Sequence, residues 1–417
     1  MSSFVNMAGA RGDTLETPVK LKMKNTLPGA VKTIAIGVAG LGRAFSLMAP
    51  TFAADPRVRL VAAADPRPEA RRQFARDFSG AGYAGFDELI ADPGIDVVYI
   101  ATPHQFHAQQ ACLAASRGKH VLVEKPMALS MPECHAMIAA ARQGNVHLIV
   151  GHSHSFDAPI RRTRELIAGG AFGRLRMITA VNFTDFIYRP RRPEELDTAQ
   201  GGGAIFNQAA HHIDIVRLLG GGLARSVRAG AGAWDPARPT EGAYSAFLTF
   251  EDGAFASMTY SGYAHFDSDE FCGWIGEAGE RKNPLAYGAG RRLLARDELQ
   301  QKNARNYGGP QHAGPPAAPL HQHFGVLIAS CERADLRPLP KGVMIYTDHE
   351  KHLEPLAPPE VPRAAVIDEL HAAIVEGLPP VHSGEWGAAT MEAVLAIRRS
   401  AAEQREIPLQ DQIALPA

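Results

Sequence analysis

The chain has 417 residues, of which 46% are hydrophobic and 21% are charged. This length exceeds that of one ordinary core, so two domains are expected. The formal net charge of -1 offers no basic surface to nucleic acid or an anionic membrane, and no apolar run is long enough to span a bilayer. The cysteines lack metal-ligand or redox spacing, which indicates reduced thiols in a cytoplasmic protein.

Residues 1–32 mix Gly, Pro, Thr and Lys without a period and lack the apolar core of a signal peptide. We expect a flexible tail here, with contact to a neighbouring subunit as one role. Ordered structure is predicted to begin at Thr33.

Residues 33–151 alternate short apolar runs with helical stretches. The predicted strands are 33–39, 59–64, 96–100, 120–123 and 147–150. The predicted helices are 43–54, 66–78, 86–90, 107–117 and 131–143. This alternation predicts a doubly wound parallel sheet, that is, a Rossmann domain at 33–151.

The pattern changes after residue 151. Longer runs with period two predict strands at 174–186, 243–250, 255–261 and 271–276, with a hairpin turn at Glu251-Asp252-Gly253. Helices are predicted at 158–167, 204–219, 363–376 and 385–404, and a long loop at 304–319. We expect an α/β domain at 152–417 with an open, mostly antiparallel sheet that carries helices on one face.

Gly40-Leu41-Gly42 lies where the first strand meets its helix. The first glycine permits a tight turn, and the second lets the backbone approach a pyrophosphate at the helix N-terminus. Phe45 stands where the dinucleotide fingerprint has its third glycine, so looser packing of helix against strand is expected there. The position after the first strand of an alternating series favours nucleotide binding over a plain turn.

Asp65 ends the second predicted strand, where an acid can accept hydrogen bonds from an adenosine ribose. An alternative role is structural, with Asp65 as helix N-cap and Pro66 as the first helical residue. The carboxylate would repel a 2′-phosphate, whereas Arg67 could bind one. We expect NAD, with NADP as the alternative.

Two further strings carry a resemblance to a known family. Ala101-Thr102-Pro103-His104-Gln105-Phe106-His107 is followed by a run that ends in Val123-Glu124-Lys125-Pro126. Together they resemble the glucose–fructose oxidoreductase / inositol dehydrogenase (Gfo/Idh/MocA) family, over about 33–219 and again over 377–408. The resemblance implies a nicotinamide-dependent oxidoreductase, a Rossmann domain and a catalytic lysine at Lys125.

A lysine at the carboxyl end of a parallel strand can donate to a substrate hydroxyl and stabilise developing alkoxide charge. Without its neighbours it would be interpreted as a solvated surface residue. The motifs and the family pattern imply this cofactor site: Gly40, Gly42, Arg43, Ala44, Phe45, Asp65, Arg67, Thr102, Pro103, His107, Glu124 and Lys125.

The second half of the site resembles the family pattern Gly-Gly-x-x-x-Asp-x-x-x-His, here Gly202-Gly203 followed by Asn207 and His211. Asn207 and His211 are four residues apart on a predicted helix and therefore share a face. His211 is expected to accept the hydroxyl proton, since histidine titrates near neutrality, and His212 is the alternative. Asn207 departs from the Asp that sugar-type members carry, which argues against a simple sugar dehydrogenase.

The junction His152-Ser153-His154 also departs from those members. With His211 and His212 these histidines suggest a metal site, but no acidic or Cys ligand accompanies them at motif spacing, so no metal is expected. The substrate residues expected are Lys125, His154, Arg189, Asn207, His211 and His212.

Arg189, Arg191 and Arg192 precede the His211 helix and could hold carboxylates, although a solvated basic loop is an equal alternative.

Within the family, the glycine-loop and Asn207–His212 strings resemble dihydrodiol dehydrogenases of bacterial phthalate degradation. This implies oxidation of a carboxylated ring diol such as cis-4,5-dihydroxy-4,5-dihydrophthalate. The alternatives are a sugar, inositol or sugar-acid dehydrogenase and a dinucleotide sensor without turnover.

An open sheet face predicts a homo-oligomer, a dimer or tetramer, assembled through about 174–276.

Overall fold

A computed structural model describes residues 32–151, 153–286, 288–294, 297–312, 319–361 and 363–416. The tail predicted at 1–32 lies, except for Lys32, outside the described residues, as do His152 and the centre of the loop predicted at 304–319. Thr33–Ala417 is one compact unit. Within the described ranges, no helix has the length and apolar character needed to cross a membrane.

The first sheet is parallel throughout. Its strands are β1 (Ile34–Ala39), β2 (Val58–Ala64), β3 (Ala81–Tyr83), β4 (Val97–Ile100), β5 (His120–Val123) and β6 (Leu148–Val150), in the order β3-β2-β1-β4-β5-β6. The apolar central strands are buried because helices cover both faces of the sheet. The doubly wound sheet is confirmed. The exposed strand β3 was not predicted, since it has no apolar run.

The helices of this layer are α1 (Arg43–Ala54), α2 (Pro68–Phe78), α3 (Phe86–Ala91), α4 (His107–Ser116) and α5 (Met131–Gln143). The interpretation of Asp65 as a helix N-cap is wrong. Helix α2 begins two residues later than predicted, with Arg67 as N-cap and Pro68, rather than Pro66, in the first helical position.

The second sheet contains β7 (Leu175–Phe183), β8 (Ala224–Gly232), β9 (Ala243–Phe250), β10 (Phe255–Ser261), β11 (Val326–Cys331), β12 (Asp335–Leu339), β13 (Gly342–Tyr346), β14 (Lys351–Pro355) and β15 (Ile407–Pro408). Their order is β14-β13-β12-β11-β7-β10-β9-β8-β15. All neighbouring pairs are antiparallel except β7 and β10, which are parallel. The predicted hairpin joins β9 to β10. Helices α6 (Ala158–Ala168), α7 (Ala210–Gly220), α8 (Ala289–Leu293), α9 (Glu298–Arg305), α10 (Ala364–His371) and α11 (Gly384–Glu403) complete the chain.

Several predictions for this half are wrong. Residues 271–276 form the end of a 3-10 turn, Ser268–Cys272, and an isolated bridge at Ile275 rather than a strand. Strand β7 ends at Phe183, before the 3-10 turn Phe186–Tyr188. Strands β8 and β11–β14 were not predicted. The pattern of β8, β12 and β14 is interrupted by glycine, proline or charged residues, whereas β11 and β13 are short apolar runs without a clear period of two.

Helix α10 packs on the parallel sheet, although it follows the whole second sheet in the chain. Val366, Ile367 and Leu370 are fully buried in one cluster with residues of β1 and with Tyr99. Arg57, just before β2, donates to Asp368 at 2.7 Å. The C-terminal segment therefore contributes a helix to the Rossmann layer.

Candidate active site

The glycine loop has the geometry that a pyrophosphate requires. Gly40 has φ +90°, and an added Cβ would lie 2.8 Å from the carbonyl oxygen of Ala101. A Cβ on Gly42, the N-cap of α1, would meet no heavy atom within 4 Å. The turn therefore needs glycine at position 40, and open space lies in front of the α1 N-terminus, where backbone amides can bind phosphate. These residues fit a dinucleotide.

The next residues of α1 face different surroundings. Arg43 is exposed and Ala44 is half-buried. Phe45 is 0% exposed, and its ring lies 5.0 Å from that of Tyr307 in an edge-on contact. An aromatic cluster therefore occupies the third-glycine position, and only the backbone of Phe45 is available to a cofactor.

Asp65 and Arg67 are bound to each other at the end of β2. Asp65 Oδ2 accepts from the Leu41 amide at 2.8 Å, and its Oδ1 accepts from the Arg67 amide at 2.9 Å and from Arg67 Nε at 3.0 Å. Arg67 also donates to the carbonyls of Leu41 at 2.8 Å and Tyr307 at 3.3 Å. The Arg67 guanidinium is therefore held by the loop around the proposed ribose site.

Of the remaining proposed cofactor residues, Thr102 and Pro103 are half-buried after β4. His107 is fully buried, and its ring nitrogens lie 2.9 Å from the carbonyl oxygens of Pro126 and Thr102. His107 therefore joins the loops that follow β4 and β5, and acts as a positioning residue.

Lys125 follows β5 and is half-buried. Burial lowers its pKa to about 8, and the guanidiniums of Arg363 and Arg191 add to this effect. The carboxylates of Glu124 and Glu277 oppose it. The Glu124 carboxylate also accepts from the Tyr99 hydroxyl at 2.5 Å. Lys125 can therefore change its protonation state within the range in which enzymes operate.

Asn207 lies in a π-helical turn, Ile205–Ala209, just before α7. Its side-chain Nδ2 donates to the carbonyls of Gly203 at 2.8 Å and Gly201 at 3.2 Å. Its backbone carbonyl accepts from Lys125 Nζ at 3.0 Å. An aspartate could not donate to these two carbonyls, which accounts for the amide at this position. π-turns of this kind recur at functional sites.

His211 lies beside a second histidine that carries a carboxylate partner. The His211 and His154 rings are 4.8 Å apart, and the Phe324 ring lies 4.9 Å from His211. His154 Nδ1 is 2.6 Å from Asp157 Oδ2. A carboxylate that accepts from Nδ1–H leaves Nε2 as the acceptor, which is the arrangement of a general base.

The ring of His212, the next residue of α7, also packs on Phe324, with 4.8 Å between the ring centroids. Its Nδ1 is 2.8 Å from the Tyr244 hydroxyl, and it is 1% exposed. Burial lowers the pKa of His212 to about 3, so the ring is neutral. Its burial makes it a weaker candidate for the base than His211 or His154.

Arg189 remains 46% exposed between two acids. Its Nε lies 3.3 Å from Asp185 Oδ1, and its Nη1 lies 4.0 Å from Glu277 Oε2. Glu277 in turn accepts from Asn182 Nδ2 at 2.8 Å. The exposed guanidinium can still reach a ligand.

Arg191 is more deeply placed. Its guanidinium lies 3.7 Å from the centroid of the Phe186 ring and donates to the Phe186 carbonyl at 2.6 Å. Burial lowers its pKa to about 10. Arg192, in contrast, pairs with Glu194 at 2.9 Å. Arg191 therefore joins Arg189 as a candidate anion contact.

Within the described ranges, no group of three or more His, Cys, Asp or Glu side chains is placed to hold a metal ion. Three contributors to the site were not predicted: Asp157, Glu277 and Arg363. The spacing of His154 and Asp157 was a signal that could have been used. Glu277 and Arg363 have no local motif, because distant segments of the fold bring them to the site.

The arrangement is suited to removing a proton and a hydride from an alcohol. Lys125 and the open glycine loop lie at the carboxyl edge of the parallel sheet, where such folds bind ligands, and the His154–His211 pair lies on the elements that follow this sheet in the chain. An ammonium can stabilise alkoxide charge, and an imidazole can accept the hydroxyl proton.

The chain matches two family models. Residues 34–152 match the model described as an oxidoreductase family with an NAD-binding Rossmann fold, and residues 160–280 match the GFO/IDH/MocA C-terminal domain. The chain is 49% identical over 370 residues to a 1-carboxy-3-chloro-3,4-dihydroxycyclohexa-1,5-diene dehydrogenase of Comamonas testosteroni, and the match covers 87% of this chain and 93% of that protein.

Solved structures show the same fold. A candidate dehydrogenase from Bordetella bronchiseptica is 41% identical, with a TM-score of 0.86 over 90% of this chain and 100% of that one. The WlbA dehydrogenase from Bordetella pertussis, solved with NADH and UDP-GlcNAcA, has a TM-score of 0.63 at 22% identity, over 91% of this chain and 99% of that one.

Proposed function

Because the chain belongs to the Gfo/Idh/MocA family of NAD(P)-dependent oxidoreductases, we propose that it oxidises a carboxylated cyclohexadiene cis-diol. The specific substrate proposed is cis-4,5-dihydroxy-4,5-dihydrophthalate, which would give 4,5-dihydroxyphthalate in bacterial phthalate degradation. The observation that carries the anionic substrate is the pair Arg189 and Arg191 on the segment between β7 and α7, where the Arg189 guanidinium remains 46% exposed and can reach a carboxylate. The name of the Comamonas relative, a dehydrogenase of a carboxylated cyclohexadiene diol, supports the substrate class.

In the proposed reaction, a histidine accepts the proton of one ring hydroxyl, and the Lys125 ammonium stabilises the alkoxide oxygen as charge develops. NAD, held at the glycine loop, would supply the acceptor for the hydride that leaves the carbon bearing this hydroxyl. The resulting hydroxydienone is a tautomer of a catechol, so aromatic stabilisation favours product. Asn207 positions Lys125 through its backbone carbonyl and holds the glycine turn through its amide.

The substrate is tested by following NADH absorbance with a panel of diols and polyols. We expect the dicarboxylated cis-dihydrodiol to exceed the unsubstituted one by about 30-fold to several-thousand-fold in kcat/KM, since an unpaired buried charge costs about 2–5 kcal/mol. Equal rates on both diols would refute recognition of the carboxylates. Faster oxidation of inositol or glucose would favour a polyol dehydrogenase, and no turnover with any of them would favour a sensor.

The arginines are tested in the same assay. Arg189→Ala and Arg191→Ala should each reduce the preference for the anionic diol while affecting the uncharged diol little. Arg192→Ala, whose guanidinium is already paired with Glu194, is the matched control. If neither variant differed from this control, the substrate carboxylates would bind elsewhere.

The residue that accepts the hydroxyl proton can be identified from the pH dependence of kcat/KM. We propose His211, with the His154–Asp157 pair as the competing assignment. His211→Asn should remove the acidic limb of kcat/KM if His211 is the base, while Asp157→Asn should leave that limb in place. If Asp157→Asn removed the acidic limb and His211→Asn left it in place, His154 would be the residue that accepts the hydroxyl proton.

A further inference from the structure

A small cavity lies beside Lys125, where the loop after β5 meets helices α7 and α11. Its volume is about 20 Å³, which is enough for one water molecule. Apolar side chains such as Met127 and Met391 form most of its wall. Lys125, Ser153 and Asp214 are among the polar residues that line it. A polar ligand of this size would have to bond to these side chains to remain there.

The Lys125 side chain reaches the part of α7 that forms one wall of the cavity. Its Nζ donates to the Asn207 carbonyl at 3.0 Å. A helical carbonyl points along the axis towards the residues that follow it, and Asn207, Ala210 and Asp214 recur on one face at steps of three and four. Ala210 and Asp214 both line the cavity. Because an ammonium has three N–H donors, donors remain for a cavity ligand and for the substrate.

Ser153 supplies a buried hydroxyl to the same cavity. It is 5% exposed, and its Oγ makes no hydrogen bond to any protein group in the described ranges. Two other polar residues of the wall are already bonded through Ser155. Asp214 accepts from Ser155 Oγ and from Trp386 Nε1, and His382 Nε2 lies 2.8 Å from the same Ser155 Oγ. Since buried hydroxyls are normally satisfied by protein or by ordered water, Ser153 indicates a ligand in the cavity.

We propose that one water molecule binds in this cavity, accepts from the Lys125 ammonium and donates to Ser153 Oγ. Ser153 then acts as a positioning residue, because it holds the water that hydrates and orients the ammonium. Burial lowers the pKa of Lys125 to about 8, and a water that accepts from the charged form limits this decrease. The inference rests on the proposed role of Lys125 in alcohol oxidation and not on the identity of the diol.

Charged and titratable groups face Lys125 from the elements packed around it: Glu124, Arg191, Glu277, Arg363, His104, His107, Asp214 and His382. The two glutamates favour the ammonium, and the two arginines oppose it. Burial lowers the pKa of His104 to about 3 and also lowers that of His107, so both rings are neutral. A substitution at Ser153 leaves all these groups in place, so a shift in the titration of Lys125 would report the water.

The test is the pH dependence of kcat/KM for the dicarboxylated cis-dihydrodiol with saturating NAD. Ser153→Ala should move the alkaline limb, expected near pH 8 in the wild type, about one pH unit lower, because the ammonium loses a hydrogen-bond acceptor. Ala210→Val should have the same effect, because its added methyl groups fill the cavity. Met391→Leu, at the same wall, nearly conserves the volume and keeps the serine hydroxyl, and is the matched control.

A titration without turnover separates this inference from the proposed function. In nuclear magnetic resonance spectra of the full chain labelled at lysine Cε, the signal that Lys125→Ala removes reports the ammonium. Ser153→Ala should lower the midpoint of this signal by the same amount even if no diol is oxidised. A midpoint equal to that of Met391→Leu would overturn the proposal. An unchanged midpoint in Ala210→Val would also overturn it, since a filled cavity cannot hold the water.

Discussion

At the scale of single residues, the protonation of Lys125 controls the proposed chemistry. Its lowered pKa, about 8, means that the ammonium is present below this pH and is lost above it. Since the ammonium stabilises the alkoxide, we expect kcat/KM to fall as the pH rises above about 8. Rates measured from pH 6 to 10 check this. A rate that continues to rise through this range would make neutral Lys125 the base.

Replacement of the same residue tests its contact with the substrate. Lys125→Ala should lower kcat by about two orders of magnitude or more, because one charged donor to the transition state is lost. NADH affinity should change little. Lys119→Ala is the control, since its ammonium donates to the carbonyls of Asp92 and Ile95. If Lys125→Ala kept the wild-type kcat, Lys125 would be only a surface residue without a catalytic role.

We predict that the Asp65–Arg67 pair sets the choice between NAD and NADP. The wild type should prefer NAD in kcat/KM, because Arg67 already donates to Asp65, Leu41 and Tyr307 and is not available to a 2′-phosphate. Asp65→Ala should release the guanidinium and shift the NAD to NADP ratio about tenfold towards NADP. The double variant that also carries Arg67→Ala should not gain NADP activity. A wild-type preference for NADP would contradict the assignment.

At the scale of elements, a buried histidine joins α10 to the neighbouring segments. His382 Nδ1 lies 2.9 Å from Glu369 Oε2 on α10, and its Nε2 lies 2.8 Å from Ser155 Oγ and 3.8 Å from Asp214 Oδ2 on α7. Burial alone would lower the pKa of His382, but Glu369 and Asp214 outweigh it and the pKa is raised. The two carboxylates therefore favour the charged form of the His382 ring.

The raised pKa of His382 determines the direction in which the stability of the fold changes with pH. The contribution of His382 is fully present below the ordinary histidine pKa of about 6.5 and is lost as the pH rises through the raised value. His382→Gln should cost about 3 kcal/mol at pH 6, because two carboxylates lose a buried partner, and less at high pH. Urea unfolding at several pH values measures this. His135→Gln, at an exposed histidine, is the control, and an equal loss in both variants would refute the role.

At the scale of the whole molecule, the outer face of the second sheet carries exposed apolar side chains among serines and threonines. Met177 on β7, Phe247 on β9 and Phe255 on β10 are 36%, 43% and 37% exposed. The rings of Phe247 and Phe255 lie 5.4 Å apart. Exposed sheet faces of this kind mark interfaces.

We therefore predict a homo-oligomer, a dimer or tetramer, that assembles through this face. Phe247→Glu should shift the mass measured by light scattering at micromolar concentration towards the monomer, because a buried unpaired charge is costly. Leu285→Glu, at an 88% exposed side chain outside the sheet, is the control. A monomeric wild type would exclude the assembly.

The sequence by itself determined the Rossmann layer and the residue types of the site. Buried parallel strands read as continuous apolar runs, and the glycine turn and Glu124-Lys125-Pro126 are local strings, so both are visible without a fold. The second sheet was predicted to be open and mostly antiparallel, but β11–β14 were missed. Proline or charged residues interrupt β12 and β14, and β11 and β13 are apolar runs too short to show a period of two.

Only the tertiary structure decided which distant segments meet. We propose that the two domains divide at residue 151, with α10 as an addition to the Rossmann domain. Helix α10 packs in the Rossmann layer and brings Arg363 to Lys125. The Asp157 partner of His154 and the packing of Tyr307 on Phe45 depend in the same way on the assembled fold. Contacts between residues far apart in the chain leave no period or motif in a single sequence, because packing in three dimensions alone specifies them.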